Sequence, residues 1–257
     1  MAVEVRLVPC LTDNYAVIVR DTGSDAVLLV DAPEPDPILK ALEAANWKLT
    51  HILVTHKHGD HIQGIPALKQ RYKAKVIGPR NEANEIPTLD EKVGEPDIVE
   101  VGSLRARVFD TPGHTAGHIC YWLEKEKLLF SADTLFALGC GRPFERPAAV
   151  LWQSLLKLRK LPDDTTIYCG HEYTLANARF SVTVDPANKS LRGRLAEIEK
   201  ARAAGKPTIP STMAEERATN PFLRADDPAI AAAVGMPGSD PAAVFTEIRE
   251  RKNNFRG

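Results

Sequence analysis

The sequence predicts a mixed α/β protein in which a strand-rich region is followed by a smaller helical region. Short runs of β-branched and other apolar residues recur along most of the chain and are separated by turns, which is typical of strands. After Glu172 such runs nearly vanish, and signals for helix starts replace them. A chain of 257 residues can bury a large core, either as one domain or as two unequal domains.

The strands are predicted from the positions of these runs. Four of them open the chain, at residues 3–9, 15–20, 26–31 and 50–54. Six more follow, at residues 74–77, 98–101, 106–110, 118–123, 127–132 and 166–169. One helix is predicted to begin at Asp36-Pro37, with the aspartate as its cap and the proline in its first turn. A second helical pattern contains Leu151, Leu155 and Leu158.

Helix starts dominate the last third of the chain. Thr212 and Glu215 have the spacing of a capping box, and the pairs Asp227-Pro228 and Asp240-Pro241 place a cap before a first-turn proline. We therefore expect two domains, residues 1–172 and residues 173–257. The proline-rich stretch 206–221 is interpreted as an ordered connector, because Thr212 starts a helix inside it.

Charge and composition exclude several functions. The net charge of −1 leaves no bulk positive field that would favour nucleic acid or a membrane surface as a partner. No apolar run approaches membrane-spanning length, and the first residues lack the apolar core of a signal peptide, so a cytoplasmic protein is expected. Four widely spaced cysteines without a paired motif indicate free thiols in a reducing compartment. No oligomerisation signal is evident, and a monomer is expected.

Residues 55–61, Thr-His-Lys-His-Gly-Asp-His, place three histidines and one aspartate directly after an apolar run. Imidazole nitrogens and carboxylate oxygens are donors that zinc and similar divalent ions accept. Because alternate side chains of an extended chain share a face, His56 and His58 can bind one ion. Asp60 and His61 come where the chain turns away, and they can reach a second ion. A lone histidine near a strand end is usually a surface residue, but four donors at this spacing favour a metal site.

Three further donors each follow a strand-like segment, where binding loops collect. They are His114, Asp133 and His171. His51 precedes its strand and His118 lies inside one, so both are predicted to be structural. Seven donors are too many for one tetrahedral zinc, and they suit two ions that share a bridging carboxylate. Zinc is the first expectation for these two divalent ions, and iron or manganese would also accept these donors.

The H-x-H-x-D-H run with the later His114, Asp133 and His171 resembles the metallo-β-lactamase superfamily. Further motifs narrow the resemblance to the hydroxyacylglutathione hydrolases, also called glyoxalase II. These motifs are Cys10–Tyr15, Ala132–Phe136, Gly139–Arg142, Gly170–Thr174, Asn220–Arg224 and Arg249–Phe255. The resemblance spans nearly the whole chain.

That resemblance implies a four-layer αββα metallo-β-lactamase sandwich followed by a small helical domain that binds glutathione. The activity it implies is hydrolysis of S-D-lactoylglutathione to glutathione and D-lactate, the second step of methylglyoxal detoxification. The attacking group would be a hydroxide that bridges the two metal ions. Asp60 would both bind a metal ion and orient this hydroxide, which gives it a catalytic role.

The resemblance also implies a set of substrate-binding residues. They are Arg142, Phe144, Tyr173, Arg249 and Lys252. Arg249 and Lys252 lie three residues apart on one helical face, and their charges suit the carboxylates of glutathione, although spacing alone also allows a solvated basic face. Phe144 stands where relatives sometimes have a tyrosine, so a hydroxyl contact would be absent, and Pro143 and Pro147 stiffen its loop.

Three alternatives remain open at the level of sequence. A glutathione persulfide dioxygenase of the same fold would use a single iron and would need fewer ligands. Asp60 and His171 are additional donors, and they favour two ions. Another hydrolase of this fold, such as a lactamase, lactonase or nuclease, would not need Arg249 and Lys252 in a helical tail. A metal-stabilised binding protein without turnover would have a closed site of four donors rather than seven.

Overall fold

The computed structural model describes residues 3–256 and divides the chain into two compact units. The first unit contains Met1–Thr111 and Thr115–Ala132, and the second contains Pro112–His114 and Asp133–Gly257. The predicted domain boundary between residues 172 and 173 stays a prediction. Residues 1, 2 and 257, at the ends of the two predicted domains, lie outside the described residues.

The first unit contains most of the strands, and they form two sheets. In chain order they are β1 (Val3–Cys10), β2 (Asn14–Asp21), β3 (Val27–Val30), β4 (His51–Leu53), β5 (Lys75–Pro79), β6 (Glu91–Val93), β7 (Ile98–Val101), β8 (Leu104–Asp110), β9 (Ile119–Leu123) and β10 (Leu128–Ala132). One sheet has the order β1-β2-β3-β4-β5-β6, antiparallel from β1 to β3 and parallel from β3 to β6. The other places β10, β9, β8 and β7 side by side, all antiparallel.

The helices of the first unit are α1 (Pro35–Ala45), α2 (Gly59–Ile62) and α3 (Ile65–Tyr72). The prediction that Asp36 caps α1 is wrong, because the helix begins two residues earlier, at Pro35, and Glu34 occupies the cap position without a side-chain cap bond. Pro35 lacks an N–H and has a fixed φ, both of which suit the first helical position, so Asp36 falls into the first turn.

A single apolar cluster packs helices α1 and α3 against the first sheet. Ile38 and Leu42 of α1 and Ile65 and Leu68 of α3 are fully buried, and they pack with strand residues such as Ile52. Burying one such side chain stabilises the fold by roughly 1.5–3 kcal/mol. The parallel strands β3 and β4 end beside each other in this packed sheet, so the residues that follow them have a rigid support.

The second unit is mostly helical. Its elements are β11 (Leu135–Phe136), β12 (Gly139–Cys140), α4 (Ala148–Leu158), β13 (Thr166–Cys169), α5 (Thr174–Val184), α6 (Lys189–Ala203), β14 (Ser211–Thr212), α7 (Met213–Thr219), α8 (Pro228–Ala233) and α9 (Pro241–Asn254). Strands β11 and β12 form a short antiparallel hairpin, and β13 pairs antiparallel with β14. One turn of 3-10 helix, Pro221–Leu223, follows α7.

The predicted helix starts of the tail are confirmed. Thr212 accepts from the backbone N–H of Glu215, and the Glu215 carboxylate accepts from the backbone N–H of Thr212, which is the reciprocal pair of a capping box. Asp227 and Asp240 cap α8 and α9 with their side chains, each before a proline in the first turn. The stretch 206–221 is ordered around α7, as expected.

Candidate metal centre

The His56–His61 run leaves strand β4 and enters the short helix α2. His56 and His58 come from the extended segment between them, and Nε2 of His56 lies 3.1 Å from Nδ1 of His58. The rings of His56 and His61 have centroids 4.1 Å apart, and Nε2 of His61 lies 3.7 Å from Oδ2 of Asp60. The structure therefore brings the four predicted donors of this run together within one unit.

Asp31, the residue directly after strand β3, orients two of these histidines through hydrogen bonds. Its Oδ2 accepts a hydrogen bond from Nδ1 of His61 at 2.8 Å and from Oγ1 of Thr55 at 2.7 Å. The Thr55 hydroxyl has only one proton, which it donates to Asp31, so it accepts from Nδ1 of His56 at 3.0 Å. One carboxylate thus holds the proton on Nδ1 of both rings and leaves Nε2 of each available as a metal ligand.

Asp31, His56 and His61 also offer ligand atoms within 4.8 Å of one another. We interpret Asp31 as a support and not as a ligand, because both of its oxygens are already occupied. Oδ1 accepts from the backbone N–H of Thr55 at 2.9 Å, and Oδ2 makes the two bonds described above. Asp31 was not predicted as part of the site, because it lies 30 residues before His61 and only the fold brings the two together.

Asp60 is oriented by Asn14, from the motif that begins at Cys10. Nδ2 of Asn14 donates to Oδ2 of Asp60 at 2.9 Å and to its backbone carbonyl at 3.1 Å. Asn14 is buried, whereas the Asp60 side chain is 40% exposed, so one end of the carboxylate is fixed while the group stays accessible to water. This arrangement suits a carboxylate that must act on a substrate or a water molecule.

Two further buried side chains contact the segment between β4 and α2. Glu82 accepts from the backbone N–H groups of Lys57 and Gly117, at 2.7 and 2.9 Å. His118 stacks on His56 with centroids 4.7 Å apart, and its Nδ1 lies 3.0 Å from Oγ1 of Thr111. His118 was predicted to lie inside a strand, but it lies just before strand β9, and it packs against the predicted ligand His56. His51 was predicted to precede its strand, but it is the first residue of β4.

The remaining predicted donors lie together in the second unit. Nε2 of His114 and Nε2 of His171 each lie 3.4 Å from Oδ2 of Asp133. Nδ1 of His114 donates to the carbonyl of Arg142 at 2.9 Å, and because a carbonyl can only accept, the proton must be on Nδ1. All three donors are nearly buried. A carboxylate between two imidazole nitrogens is the arrangement expected of a bridging ligand.

The donor chemistry of both units fits divalent metal ions. For His56, His61 and His114 the Nδ1 proton is fixed by an acceptor, so Nε2 carries the lone pair that a metal needs. The set contains only imidazole and carboxylate donors, which suit zinc, iron and manganese, and no thiolate.

Three predicted substrate residues surround the donors of the second unit. Tyr173 stacks on His171 with centroids 4.7 Å apart and an interplanar angle of 3°, and it is 38% exposed. Phe144 lies 5.3 Å from the ring of His114 and is 61% exposed, with the guanidinium of Arg142 5.5 Å from its own ring. Two exposed aromatic faces and an exposed cation therefore adjoin predicted metal ligands.

Arg249 and Lys252 do not form a solvated basic face, so that alternative interpretation of their spacing is wrong. Arg249 is 8% exposed, donates to the carbonyl of Cys140 at 3.0 Å and lies over the ring of Phe222. Lys252 is half-buried and donates to the carbonyl of Ala176 at 3.0 Å. Burial, together with the positive charge of Arg249, lowers the pKa of Lys252 to about 8.

The four thiols are buried. Burial raises the pKa of Cys10 and of Cys169 to about 12, and that of Cys140 to about 11. A thiol with such a pKa is almost fully protonated near neutral pH and is a poor nucleophile. Cys10, Cys140 and Cys169 are therefore unsuited to catalysis near neutral pH.

Comparison with known families covers both parts of the chain. Residues 11–171 match the metallo-beta-lactamase superfamily, and residues 172–255 match the hydroxyacylglutathione hydrolase C-terminus. ETHE1 from Myxococcus xanthus superposes with a TM-score of 0.70 at 27% identity, covering 97% of this chain and 91% of that one. The predicted fold class, an α/β metallo-β-lactamase fold with a helical C-terminal region, is confirmed. In residues 3–256 no helix is both long and apolar enough to cross a membrane.

Curated relatives extend the similarity to the full length. A hydroxyacylglutathione hydrolase from Rhodopseudomonas palustris (strain BisB5) is 53% identical over 254 residues, which is 99% of this chain and 100% of that protein. Another from Rhizobium meliloti (strain 1021) is 56% identical over 254 residues, 99% of each protein. The chain belongs to the hydroxyacylglutathione hydrolase family of the metallo-β-lactamase superfamily, as its motifs predicted.

Proposed function

We propose that this protein hydrolyses S-2-hydroxyacylglutathione thioesters, with S-D-lactoylglutathione as substrate, to glutathione and a 2-hydroxy acid. The observation that carries the substrate class is the similarity to hydroxyacylglutathione hydrolases over 99% of the chain, at 53% and 56% identity. We place this activity in the cytoplasm, as a step of methylglyoxal detoxification, and we propose a monomer whose glutathione-binding region is residues 173–257.

Two divalent ions, zinc in the first instance, would be held by the seven donors. In this proposal His56, His58 and His114 would hold one ion, Asp60, His61 and His171 would hold the other, and Asp133 would be a ligand shared by both. The position of Asp133, with its Oδ2 at 3.4 Å from Nε2 of both His114 and His171, supports the bridge. When bound, the ions would lower the pKa of a coordinated water from 15.7 to about 7 and polarise the thioester carbonyl.

The residues of the chain orient the reaction. The carboxylate of Asp60, fixed by Asn14 at 2.9 Å and still accessible, would accept a hydrogen bond from the attacking water and align its oxygen with the acyl carbon. A new C–O bond forms, the C–S bond breaks, and the glutathione thiolate leaves with the bonding electrons. Because a thiol has a pKa of about 8.5, the thiolate leaves without a strong general acid.

The substrate would lie along the aromatic faces and cations of the second unit. Tyr173 and Phe144 offer exposed rings beside predicted metal ligands, and Arg142 is an exposed cation. Arg249 and Lys252 would bind the glutathione carboxylates by charge-assisted hydrogen bonds. Phe144 has no hydroxyl, so it would contribute packing alone.

The proposal is tested by metal analysis and a thioester assay on the same protein. Elemental analysis of metal-saturated protein should approach two ions per chain, and the protein should release thiol from S-D-lactoylglutathione. A firm value of one ion would contradict the dinuclear site and favour a dioxygenase that uses a single iron. Two ions without thioester hydrolysis would retain the metal centre and reject the substrate.

The role of Asp60 is tested by Asp60→Asn, which keeps the shape of the side chain and removes its charge. We expect kcat to fall about 100-fold or more, as for the loss of a catalytic electrostatic group. Asp25→Asn is the matched control, because Asp25 is an exposed carboxylate in the turn between β2 and β3, and its kcat should equal that of wild type. An Asp60→Asn protein with wild-type kcat would remove Asp60 from the mechanism.

A further inference from the structure

The hairpin Leu135–Cys140 connects residues that matter to the proposed metal centre. Asp133 comes just before it and Arg142 just after it, and strands β11 and β12 contribute only two residue pairs. Leu138, at its turn, has a positive φ of 57°. A two-stranded hairpin of this length has little stability of its own in water, so its conformation must be imposed from outside.

Side chains of the helical region hold the backbone of this hairpin. Five consecutive carbonyls, from Phe136 to Cys140, each accept a hydrogen bond from a side-chain donor. Asn220 donates to Phe136 and Gly139 at 3.3 and 3.0 Å, Asn177 to Ala137 at 3.1 Å, Ser181 to Leu138 at 3.2 Å and Arg249 to Cys140 at 3.0 Å. Glu216 in turn accepts from the backbone N–H of Leu138 at 2.9 Å. We call these five residues, Asn177, Ser181, Glu216, Asn220 and Arg249, the carbonyl clamp.

The carbonyl clamp is buried and internally bonded. Each of its five side chains belongs to a residue that is less than 9% exposed. The carboxylate of Glu216 is paired with Arg194 at 2.6 Å and also accepts from Nδ2 of Asn220 at 2.9 Å. Polar groups in such a place are costly to leave without a partner, so the network favours one position of the hairpin strongly.

The backbone next to the hairpin contacts two predicted metal ligands, Asp133 and His114. The backbone N–H of Gly141 donates to the carbonyl of Thr134 at 3.2 Å, and a Cβ at Gly141 would lie 1.9 Å from the carbonyl of Asp133, so the chain is closely apposed there. The carbonyl of Arg142 accepts from Nδ1 of His114 at 2.9 Å. The backbone on both sides of the hairpin therefore contacts Asp133 or orients His114.

We propose that the carbonyl clamp positions Asp133 and His114 for metal binding, with Asn220 as its central positioning residue. Asn220 is central because its side-chain amide lies within hydrogen-bond distance of two carbonyls of the hairpin and of the Glu216 carboxylate, and these three acceptors share its two N–H protons. Side chains of the helical region then position metal ligands in addition to binding the substrate. This inference rests on the metal ligands proposed above and is independent of the proposed thioester substrate.

Asn220→Asp tests the proposal directly. The substitution keeps the acceptor for the backbone N–H of Phe222 and replaces the Nδ2 donor by an oxygen that faces two carbonyls and a carboxylate. We expect zinc affinity, measured by chelator competition, to fall about 10- to 100-fold, as for the loss of an outer partner of a metal ligand. The absorption spectrum of the cobalt(II)-substituted protein should change as well.

Asn188→Asp is the matched control within the helical region. Asn188 also donates from Nδ2 to a backbone carbonyl and to a carboxylate, those of Ala218 and Asp185, but it does not bond to the hairpin. Its aspartate variant should keep wild-type zinc affinity and the wild-type cobalt spectrum. If Asn188→Asp lost as much zinc affinity as Asn220→Asp, any disturbance of the helical region would weaken zinc binding. That result would overturn the proposal.

Ser181→Ala covers the case in which Asn220→Asp does not fold. It removes a single hydrogen bond, the one that the Ser181 hydroxyl donates to the carbonyl of Leu138 at 3.2 Å. Zinc affinity should fall about 10-fold, which is the lower end of the range expected for Asn220→Asp. Wild-type zinc affinity in folded Asn220→Asp overturns the proposal, and so does wild-type affinity in Ser181→Ala when Asn220→Asp is unfolded. Because zinc is the probe, these results do not depend on which thioester the wild-type protein hydrolyses.

Discussion

Asp31 connects histidines that the proposed centre assigns to different ions. Through its own oxygen and the Thr55 hydroxyl it fixes the Nδ1 protons of His61 and His56. In Asp31→Asn one oxygen becomes an amide donor, which cannot accept from these groups. We expect zinc affinity to fall about 10- to 100-fold, measured by chelator competition, with a second ion that is easier to remove than in wild type.

Asp21→Asn is the control for Asp31→Asn. The Asp21 carboxylate is also buried, and it accepts from Gly23, Ser24 and Ser103 without contacting a predicted ligand. These bonds hold the pKa of Asp21 well below its usual range. The variant should therefore unfold at lower denaturant concentration but bind zinc as wild type does. Equal zinc affinities in Asp31→Asn and wild type would show that the shared carboxylate is dispensable.

Lys252 gives the proposed substrate site a dependence on pH. Burial and the neighbouring Arg249 lower its pKa from 10.5 to about 8, so the free protein loses this positive charge as the pH rises through about 8. Charge-assisted binding of a glutathione carboxylate is present below that pH and weakens above it. We expect KM for S-D-lactoylglutathione to rise between pH 7 and pH 9, in steady-state assays with kcat followed separately.

Lys252→Arg distinguishes this titration from other groups in the protein. An arginine stays charged throughout the range, so the rise in KM should disappear in the variant, even if its KM at pH 7 is higher because the guanidinium is shaped differently. If the wild-type and Lys252→Arg profiles of KM rise together, Lys252 is not the titrating group.

Helix α7 illustrates how much stability one local element contributes. Its capping box joins Thr212 and Glu215, and the helix carries Glu216 of the carbonyl clamp. Thr212→Ala removes the cap and should lower the free energy of unfolding by about 1 kcal/mol, measured by urea denaturation. The control is Thr246→Ala, in the exposed middle of α9, where the hydroxyl bonds back to Ala242 and alanine should be neutral or slightly stabilising. Similar losses in the two variants would contradict a specific role for the cap.

Many elements with local signals were predicted, although helix α6 was missed despite its cap at Asn188, and elements without such signals were missed. Strand β7 was predicted with its observed ends at 98 and 101, and α7, α8 and α9 begin at their predicted caps. Strands β11, β12 and β14 have two residues each, too few for an alternating pattern. Helix α5 was missed because its buried face includes Asn177 and Ser181, which serve the hairpin, so its apolar residues lack a helical period.

At the level of the whole molecule, metal binding should contribute to stability. A ligand that binds only the folded state stabilises it by about 2.7 kcal/mol when its free concentration is 100 times its Kd. For a chain of this size that corresponds to a rise in Tm of about 5–10 °C for each ion. Thermal unfolding of metal-free and zinc-saturated protein should show this difference, and Asp133→Asn should show a smaller one. Identical Tm values for the two wild-type samples would mean that zinc does not bind preferentially to the folded chain.

The donors of the proposed centre could be named from the sequence, but the groups that hydrogen-bond to them could not. Imidazole donors are few in this chain, and each follows a recognisable strand, so their residue types alone indicate a metal site. Asp31 acts on His61 across 30 residues, and Glu216 acts on Leu138 across 78. A carboxylate or amide that acts over such a separation has no local pattern, and only the fold reveals its partner.

Because its cysteines are buried, the folded chain should react very slowly with thiol reagents. Because all four are covered, and three have pKa values of about 11 to 12, an alkylating agent at neutral pH should label them only when the surrounding structure opens. Cys10 reports on strand β1, Cys140 on the hairpin and Cys169 on strand β13. The order in which mass spectrometry finds these cysteines alkylated would then rank the opening of the three segments, and no cysteine has to be introduced by mutation.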